Sequence, residues 1–393
     1  MIPSYKTLAG QIHAPLTYGA DERIQIDSTC KTEALEYAYE LKKCGFEELY
    51  MRRYPAREKY AGIENIAYAY RGEGQTVTVF HSGTEGITRI VCENSTPDIP
   101  DMSAPGYSTP FVAQVSINFG ACFVIGLSDG SFAIVDGGNA DTDDEDHLFE
   151  FLSARSGGSR PQISLWLFTH ADCDHITLAA SFMERYGDRI DVKVFSYQFP
   201  DPSLMDFDKN GGTAKNIARL ERAISQSFPR AIVHRLHTGE RYSLAGARVE
   251  ILYSPDNLFP YAATSYNDFS AAFTFEFDGG IRALFLGDAV RHTSAEIASI
   301  YGEYLKSDVM TVAHHGLIGG NIDLYRCADP EVCLWNTPAK RFTGESERHR
   351  FKWCLGEGGC HYNAYLRDDT VRSRRHYPHG TDAVINALTL EEI

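Results

Sequence analysis

The stretch LFTHADCDHI, residues 167–176, places His170, Asp172, Asp174 and His175 within six positions, directly behind the apolar run Ile163, Leu165, Trp166, Leu167 and Phe168. Imidazole nitrogen and carboxylate oxygen are the donors that borderline and hard divalent cations take. A strand ending at Thr169 leaves all four side chains on the loop at its carboxyl end, where layered α/β proteins build their sites. Helix capping would use one of the four, with Asp174 accepting from the Thr177 amide, and gives no reason for the other three.

Three more segments carry residues of the same chemistry: SFAIVDGGN with Asp136, ALFLGDA with Asp288, and DVMTVAHHG with the adjacent His314 and His315. In this order they resemble the metallo-β-lactamase superfamily. THADCDHI is similar to its HxHxDH signature with Asp172 in place of the second histidine, and the resulting HxDxDH form resembles the branch related to the hydrolase domain of DNA-internalisation competence proteins. NDFSAAFTFEF is similar to the Asn-x-x-Ser strand that precedes Gly-Asp in that branch. The resemblance spans roughly residues 110–340. It implies an αββα metallo-β-lactamase-like sandwich, hydrolase activity, and two divalent metal ions, zinc with manganese as the alternative, bound by His170, Asp172, Asp174, His175, Asp288 and His315.

The chemistry agrees with that likeness. Two cations a few ångströms apart need one carboxylate that touches both, and Asp288, short and preceded by Gly287, suits that place. Such a pair lowers the pKa of a shared water, giving hydroxide near neutral pH for attack on a carbon or phosphorus centre. Neighbours on an extended segment point to opposite sides, so the strand SDVMTVA is expected to deliver His314 and His315 divergently. His315 then joins Asp174 and His175 at the second metal, and His314 bonds the developing oxyanion. Asp174 and His314 are thus the catalytic candidates. One ligand is missing from the superfamily pattern: between the first motif and Gly-Asp the chain offers only His234 and His237, read as surface or loop residues, and the matching place falls near Asn267 or Asp268. Asp172 in place of histidine hardens the ligand set, which is why manganese stands beside zinc.

These groups must be carried by strands and helices that the sequence also announces. FVAQVSINF, CFVIGL, SFAIVDGG, ISLWLFT, RVEILYS, SAAFTFEF, IRALFLGD and SDVMTVAHH read as strands, with helices near DEDHLFEFLSAR and ITLAASFMERYG, a layered arrangement with helices covering sheets. Residues 1–105 read as a small α+β domain of unknown role. TEALEYAYELKKCGF is its helix, capped by Asp27 or Ser28 and stopped by Gly45, and ELYMRRY, NIAYAYR, QTVTVFH and ITRIVC are its strands, the last three a meander. His81 is read as structural. The proline-rich ENSTPDIPDMSAPGYSTP, residues 93–110, reads as a linker or covering loop, so that residues 106–393 form the hydrolase domain and the first unit is expected to be separable.

Composition narrows the remaining possibilities. At 393 residues, 43% hydrophobic and 23% charged, the chain has the profile of a globular protein. The net charge of −16 argues against a grip on extended duplex nucleic acid. A start lacking a secretory pattern, no membrane-length apolar run and nine scattered cysteines without a CxxC pair lead us to expect a cytoplasmic protein with reduced thiols and no membrane contact. Lys340, Arg341, Arg348, Arg350, Lys352, Arg372, Arg374 and Arg375 gather against the acidic trend, as a solvated basic face or as a pocket for a small anionic substrate. His361, His376 and His379 lie in the same region, either in a solvated tail or in one that closes over the metals. The sequence reading is therefore a metal-dependent hydrolase of a phosphodiester or phosphorylated small substrate. A hydrolase of a carbonyl ester, lactone, thioester or lactam is the alternative, and a binding module without catalysis a third; the oligomeric state is not legible.

Overall fold

The computed structural model describes residues 2–18, 21–55, 62–140, 143–205, 207–208, 211–259, 262–345, 354–356 and 361–393. Two sheets built to the same plan face each other. In the first, Phe111–Gln114, Cys122–Gly126 and Phe132–Asp136 run antiparallel, and Gln162–Leu167, Asp191–Ser196 and Ile232–His234 then add in parallel. In the second, Arg241–Leu244, Ala247–Tyr253, Ala272–Phe277 and Arg282–Phe285 form an antiparallel meander, extended in parallel by Val309–Thr311, Val332–Pro338 and Arg375–His379.

Parallel additions need crossovers. The helices Asp144–Arg155, Cys173–Tyr186 and Gly212–Ser227 cover the outside of the first sheet, and Arg291–Tyr301 and Ile322–Ala328 the outside of the second. Period-two alternation sorts the side chains. Phe123, Ile125, Ala133 and Val135 face the opposite sheet with Ile251, Phe273, Phe275 and Phe285, whereas Cys122, Val124, Phe132 and Ile134 lie under the helices. The result is the α/β/β/α sandwich expected from the motifs.

The amino-terminal sheet has seven strands, with Glu64–Gly72, Gln75–Ser82 and Ile87–Asn94 in the expected meander. Glu47–Pro55 is on one side of it, and on the other lies Asp21–Asp27, which the sequence reading did not find. The helix Lys31–Lys43 covers one face, over Ile66, Tyr68, Tyr70, Val77 and Val79. Its N-cap is Cys30 instead of Asp27 or Ser28, because the Glu33 carboxylate reaches back to accept from the Cys30 amide at 3.0 Å.

The other face carries Tyr50, Tyr54, Ala67, Ala69 and Phe80, and these pack on Leu252, Tyr253 and Tyr301 of the sandwich. Three polar links pin that contact: the Tyr50 hydroxyl donates to the Thr238 carbonyl at 2.9 Å, the Tyr54 hydroxyl to Glu250 at 2.9 Å, and the Asn65 amide to the Ile300 carbonyl at 2.9 Å. His234 and His237 are not surface residues. Both are buried at this junction, His237 between Glu93 at 3.0 Å and Asp256 at 2.8 Å, and His234 against Glu240 at 3.0 Å.

The proline-rich segment is likewise no free linker. Its Ile99, Met102 and Ala104 pack against the core between the two sheets, and the Met102 and Tyr107 amides donate to Ser243 and Ser128 carbonyls. Proline ends regular structure without excluding the apolar side chains around it from a core.

The carboxyl-terminal region is also built in. Arg375–His379 closes the second sheet, and Ala383–Asn386 pairs antiparallel with Phe111–Gln114 at the edge of the first. Arg372 and Arg374 are paired with Asp329 at 2.9 Å each, and Arg375 with Glu331 at 2.7 Å. These three arginines therefore serve the fold, which corrects their reading as a solvated or phosphate-facing group; Arg348, Arg350 and Lys352 lie outside the described residues.

A chain starting near residue 106 would bare the apolar surface at Leu252, Tyr253 and Tyr301 and leave His237 without Glu93. We expect it to aggregate on expression, or to melt well below the full chain. A soluble, monodisperse fragment of unchanged melting temperature by calorimetry would show that the packed face contributes nothing essential.

Candidate metal centre

Four strands of the sandwich, Phe132–Asp136, Gln162–Leu167, Arg282–Phe285 and Val309–Thr311, end at one edge, and each releases its polar residues there. The helix Cys173–Tyr186 starts earlier than the expected ITLAASFMERYG, so Asp174 and His175 occupy its first turn, while His170 and Asp172 stay on the segment before it.

Asp136 turns in the left-handed region, φ 59°, and is buried. Its carboxylate accepts from the Thr169 amide at 2.7 Å, the Thr169 hydroxyl at 2.7 Å and His175 Nδ1 at 2.8 Å. His315 Nδ1 is 2.7 Å from the Asn336 carbonyl, which only accepts. Both imidazoles therefore carry a proton on Nδ1 and turn Nε2 the other way.

Those Nε2 atoms meet carboxylates. His175 Nε2 lies 3.2 Å from Asp288 Oδ1, and His315 Nε2 lies 3.2 Å from Asp288 Oδ2 and 3.0 Å from Asp174 Oδ2. Two groups have potential ligand atoms within 4.8 Å of one another: His170, His175 and Asp288, and Asp174, His175 and His315. Asp172 belongs to neither; its half-exposed carboxylate stands at the rim, 3.7 Å from His170 Nε2. His170 Nε2, His175 Nε2, His315 Nε2 and Asp288 Oδ1 are buried without a well-formed hydrogen bond. Buried polar atoms left this way cost about 1–3 kcal/mol each, and divalent cations would satisfy them together.

The electrostatics point the same way. Burial opposes charge on His175 and His315, yet Asp288 with Asp136 outweighs it at His175, and Asp288 with Asp174 pushes His315 up to about 10. Burial likewise opposes the charge on Asp174 and Asp288, and the neighbouring histidines hold both carboxyls below the usual range. A cluster that draws protons onto its imidazoles to balance its carboxylates is one that positive metal ions would balance instead.

His314 and His315 do not diverge by strand alternation. The strand ends at Thr311, and both residues turn in the left-handed region at φ 52° and 55°. Both rings consequently approach Asp288, His314 Nε2 at 3.7 Å from Oδ2 and His315 Nε2 at 3.2 Å. Gly316 after them is not there for flexibility: a Cβ would lie 2.3 Å from the Trp335 ring. Gly287 before Asp288 adopts φ 50° with a Cβ position 2.8 Å from Thr169, so the two ligand-bearing strand ends approach as closely as glycine allows.

Of the two suggested substitutes for the missing histidine, Asp268 accepts from the Thr264 amide at 2.5 Å and the Ser265 amide at 3.0 Å and faces His292 at 3.2 Å. Asn267 and Asp268 are in neither metal-ligand group. Sequence reasoning missed Thr169, the Asn336 carbonyl and Phe119, whose ring stacks on His315 with centroids 5.7 Å apart. Thr169 stood beside the motif and was open to being found; a backbone carbonyl and a stacked ring leave no signature. His379, placed in the tail, is buried and held down to about 3, by burial first and His315 next.

An α/β/β/α sandwich with histidines and aspartates gathered at one edge is the metallo-β-lactamase fold. Several solved structures are similar to the chain. The metallo-beta-lactamase fold protein YhfI from Bacillus subtilis matches at 12% identity over 70% of this chain and 99% of its own, TM-score 0.40. The diiron beta-hydroxylase CmlA from Streptomyces venezuelae matches at 14% over 72% and 55%, TM-score 0.45. A metallo-beta-lactamase family protein from Thermus thermophilus matches at 20% over 46% and 60%, TM-score 0.29. No protein-family model and no curated protein matches the sequence. Among the described residues, no helix is long and apolar enough to cross a membrane.

Asp136→Asn keeps the size of the side chain but leaves only one oxygen for three donors. We expect the variant to fold and to bind zinc about 10–100-fold more weakly, the usual cost of losing a partner that orients a metal-binding histidine. Competition with a chromogenic chelator measures this; unchanged zinc affinity would remove Asp136 from the support of His175.

Proposed function

We propose that the chain is a metal-dependent hydrolase of the branch resembling the competence-protein hydrolases, acting on a phosphodiester or phosphorylated small substrate. The observation that carries the metal-dependent reading is the gathering of the His170, His175 and His315 ring nitrogens around the Asp288 carboxylate, whose two oxygens lie 3.2 Å from His175 Nε2 and 3.2 Å from His315 Nε2 respectively. One cation would be held among His170, His175 and Asp288, with Asp172 beside it at the rim, and the other among Asp174, His175 and His315. Zinc suits the histidines, and manganese the two aspartates of the HxDxDH form. When bound, the cations supply hydroxide near neutral pH and stabilise developing negative charge.

The chain's own groups do the rest. Asp174 holds and orients the attacking water, and His314, which carries no strong partner on either ring nitrogen, donates to the oxygen that gains charge. The carbonyl ester, lactone, thioester or lactam reading is favoured by the internal pairing of Arg372, Arg374 and Arg375, which removes three cations from the count available to a phosphate.

Bis-para-nitrophenyl phosphate, a lactone and a chromogenic lactam, each assayed with zinc and with manganese, separate these readings. We expect turnover of the phosphodiester, abolished by Asp288→Asn with the melting profile retained. Turnover of the lactone alone would replace the phosphodiester reading, and near-normal activity of Asp288→Asn under saturating metal would remove Asp288 from the bridging place.

The paired histidines are expected to part in function. His315→Ala should lower metal content, whereas His314→Ala should keep metal and lose about 10²–10³-fold in turnover, as for an oxyanion donor. Metal analysis with kinetics decides; the opposite pattern would exchange the two roles.

A further inference from the structure

His315 stands in the middle of three successive left-handed residues, His314, His315 and Gly316, at φ 52°, 55° and 68°. Histidine is uncommon in that region, and two in succession persist only where the surroundings over-determine them. The turn and its immediate neighbour supply two restraints: the Leu317 amide donates to the His314 carbonyl at 2.8 Å, and the His314 amide to the Gly287 carbonyl at 3.1 Å. The others come from farther along the chain.

Two of these act on consecutive carbonyls. The Cys354 thiol meets the His315 carbonyl at 3.7 Å, and the Asn363 side-chain amide donates to the Gly316 carbonyl at 2.5 Å. Because a carbonyl only accepts, the contact fixes Nδ2 as the Asn363 atom on that side. Asn363 is fully buried in the helix His361–Leu366, whose Leu366 belongs to the same apolar layer as Trp335. Gly316 also abuts the Trp335 ring, and Trp335 Nε1 in turn donates to His376 Nδ1 at 3.0 Å. The next residue of that strand, Asn336, supplies the carbonyl that takes His315 Nδ1. The ring of His315 and the backbone around it are thus located by separate partners.

We propose that Asn363 is a positioning residue of the metal centre: its hydrogen bond to the Gly316 carbonyl holds the left-handed turn in the form that directs His315 Nε2 at Asp174 and Asp288. The inference rests on the metal-dependent reading and extends it to a helix that carries none of the candidate ligands. A buried carbonyl that loses its donor must find another or turn toward one. Gly316, without a side chain, is the residue best able to turn, and its movement passes directly to His315 beside it. Neither Asn363 nor Trp335 takes part in the chemistry; each acts through the placing of His315.

The test uses the full-length protein loaded with Co²⁺, since the filled d shell of zinc gives no visible absorption whereas the cobalt bands report ligand number and geometry. Asn363→Leu keeps the size of the side chain and removes the donor. Leu366→Ala, on the same helix and outside that hydrogen bond, serves as the control for lost packing. We expect Asn363→Leu to bind cobalt about 10–100-fold more weakly, the usual cost of losing a partner that orients a metal-binding histidine, and to shift the visible bands. Leu366→Ala should lower the melting temperature yet keep the wild-type cobalt affinity and spectrum. Asn363→Ala is measured beside them with the same expectation, and decides the matter if the leucine variant shows no cooperative melting transition.

Wild-type cobalt affinity and spectrum in the folded Asn363 variants would overturn the assignment. Equal changes in Leu366→Ala would overturn it as well, by tracing the effect to the packing of the helix. Failure of the wild type to take up cobalt is a different result, since it removes the metal-dependent reading itself and this inference with it.

Discussion

Asp288 is a carboxylate with 2% exposure, set between the Nε2 atoms of two imidazoles. Burying a charge in such a place is costly unless charge of the other sign is brought to it. Much of the surrounding architecture follows from that requirement. His175 and His315 are each turned by a fixed acceptor, Asp136 or the Asn336 carbonyl, so that the same nitrogen faces inward. Without those acceptors either ring could flip or change tautomer, and the Asp288 oxygens would face N–H and lone pair indifferently.

The requirement reaches into the strands through sterics. Asp288 can approach the His170–His175 segment because Gly287 has no side chain to strike Thr169, and Thr169 in turn is tied to Asp136 by its amide and hydroxyl. Two sheets of the same plan, antiparallel first and parallel after, bring four strand ends to a single edge. One sheet supplies Asp136 and the HxDxDH segment, the other Asp288 and the paired histidines. The site exists only where the sheets face each other, so the apolar layer of Phe123, Phe273 and Phe285 between them sets the distance across which the ligands must reach.

What was legible in the sequence was what side-chain identity alone determines. His170, Asp172, Asp174, His175, Asp288 and His315 were named from donor chemistry and a family resemblance; all but Asp172 lie in the two clusters whose ligand atoms come within 4.8 Å of one another. Legibility failed where backbone conformation or long-range packing decided. The divergence expected of His314 and His315 assumed extended backbone, and two successive left-handed residues remove the assumption. His237 looked like a surface residue because its partners Glu93 and Asp256 lie far away in the chain, and His234 because the Pro97 carbonyl that it meets does too. The arginines near the carboxyl terminus looked like an anion site because Asp329 and Glu331, which neutralise Arg372, Arg374 and Arg375, are brought beside them only by parallel strand pairing.

The amino-terminal sheet shows how the same alternation rule reads differently once a second partner exists. Residues 66–70, Ile-Ala-Tyr-Ala-Tyr, carry large side chains on alternate positions, the pattern of a strand with one buried face and one of little consequence. The small residues of that strand, Ala67 and Ala69, are nevertheless fully buried, because they admit Tyr50, Tyr54 and Phe80 from neighbouring strands into contact with the sandwich. Tyr54 then packs edge-on against Tyr301, at the end of the helix Arg291–Tyr301 that follows the Asp288 turn. The sheet thus braces the helix whose start is fixed by the ligand-bearing strand end. A unit that, among the described residues, adds nothing to the histidine–aspartate cluster is in this way continuous with it through tyrosine packing.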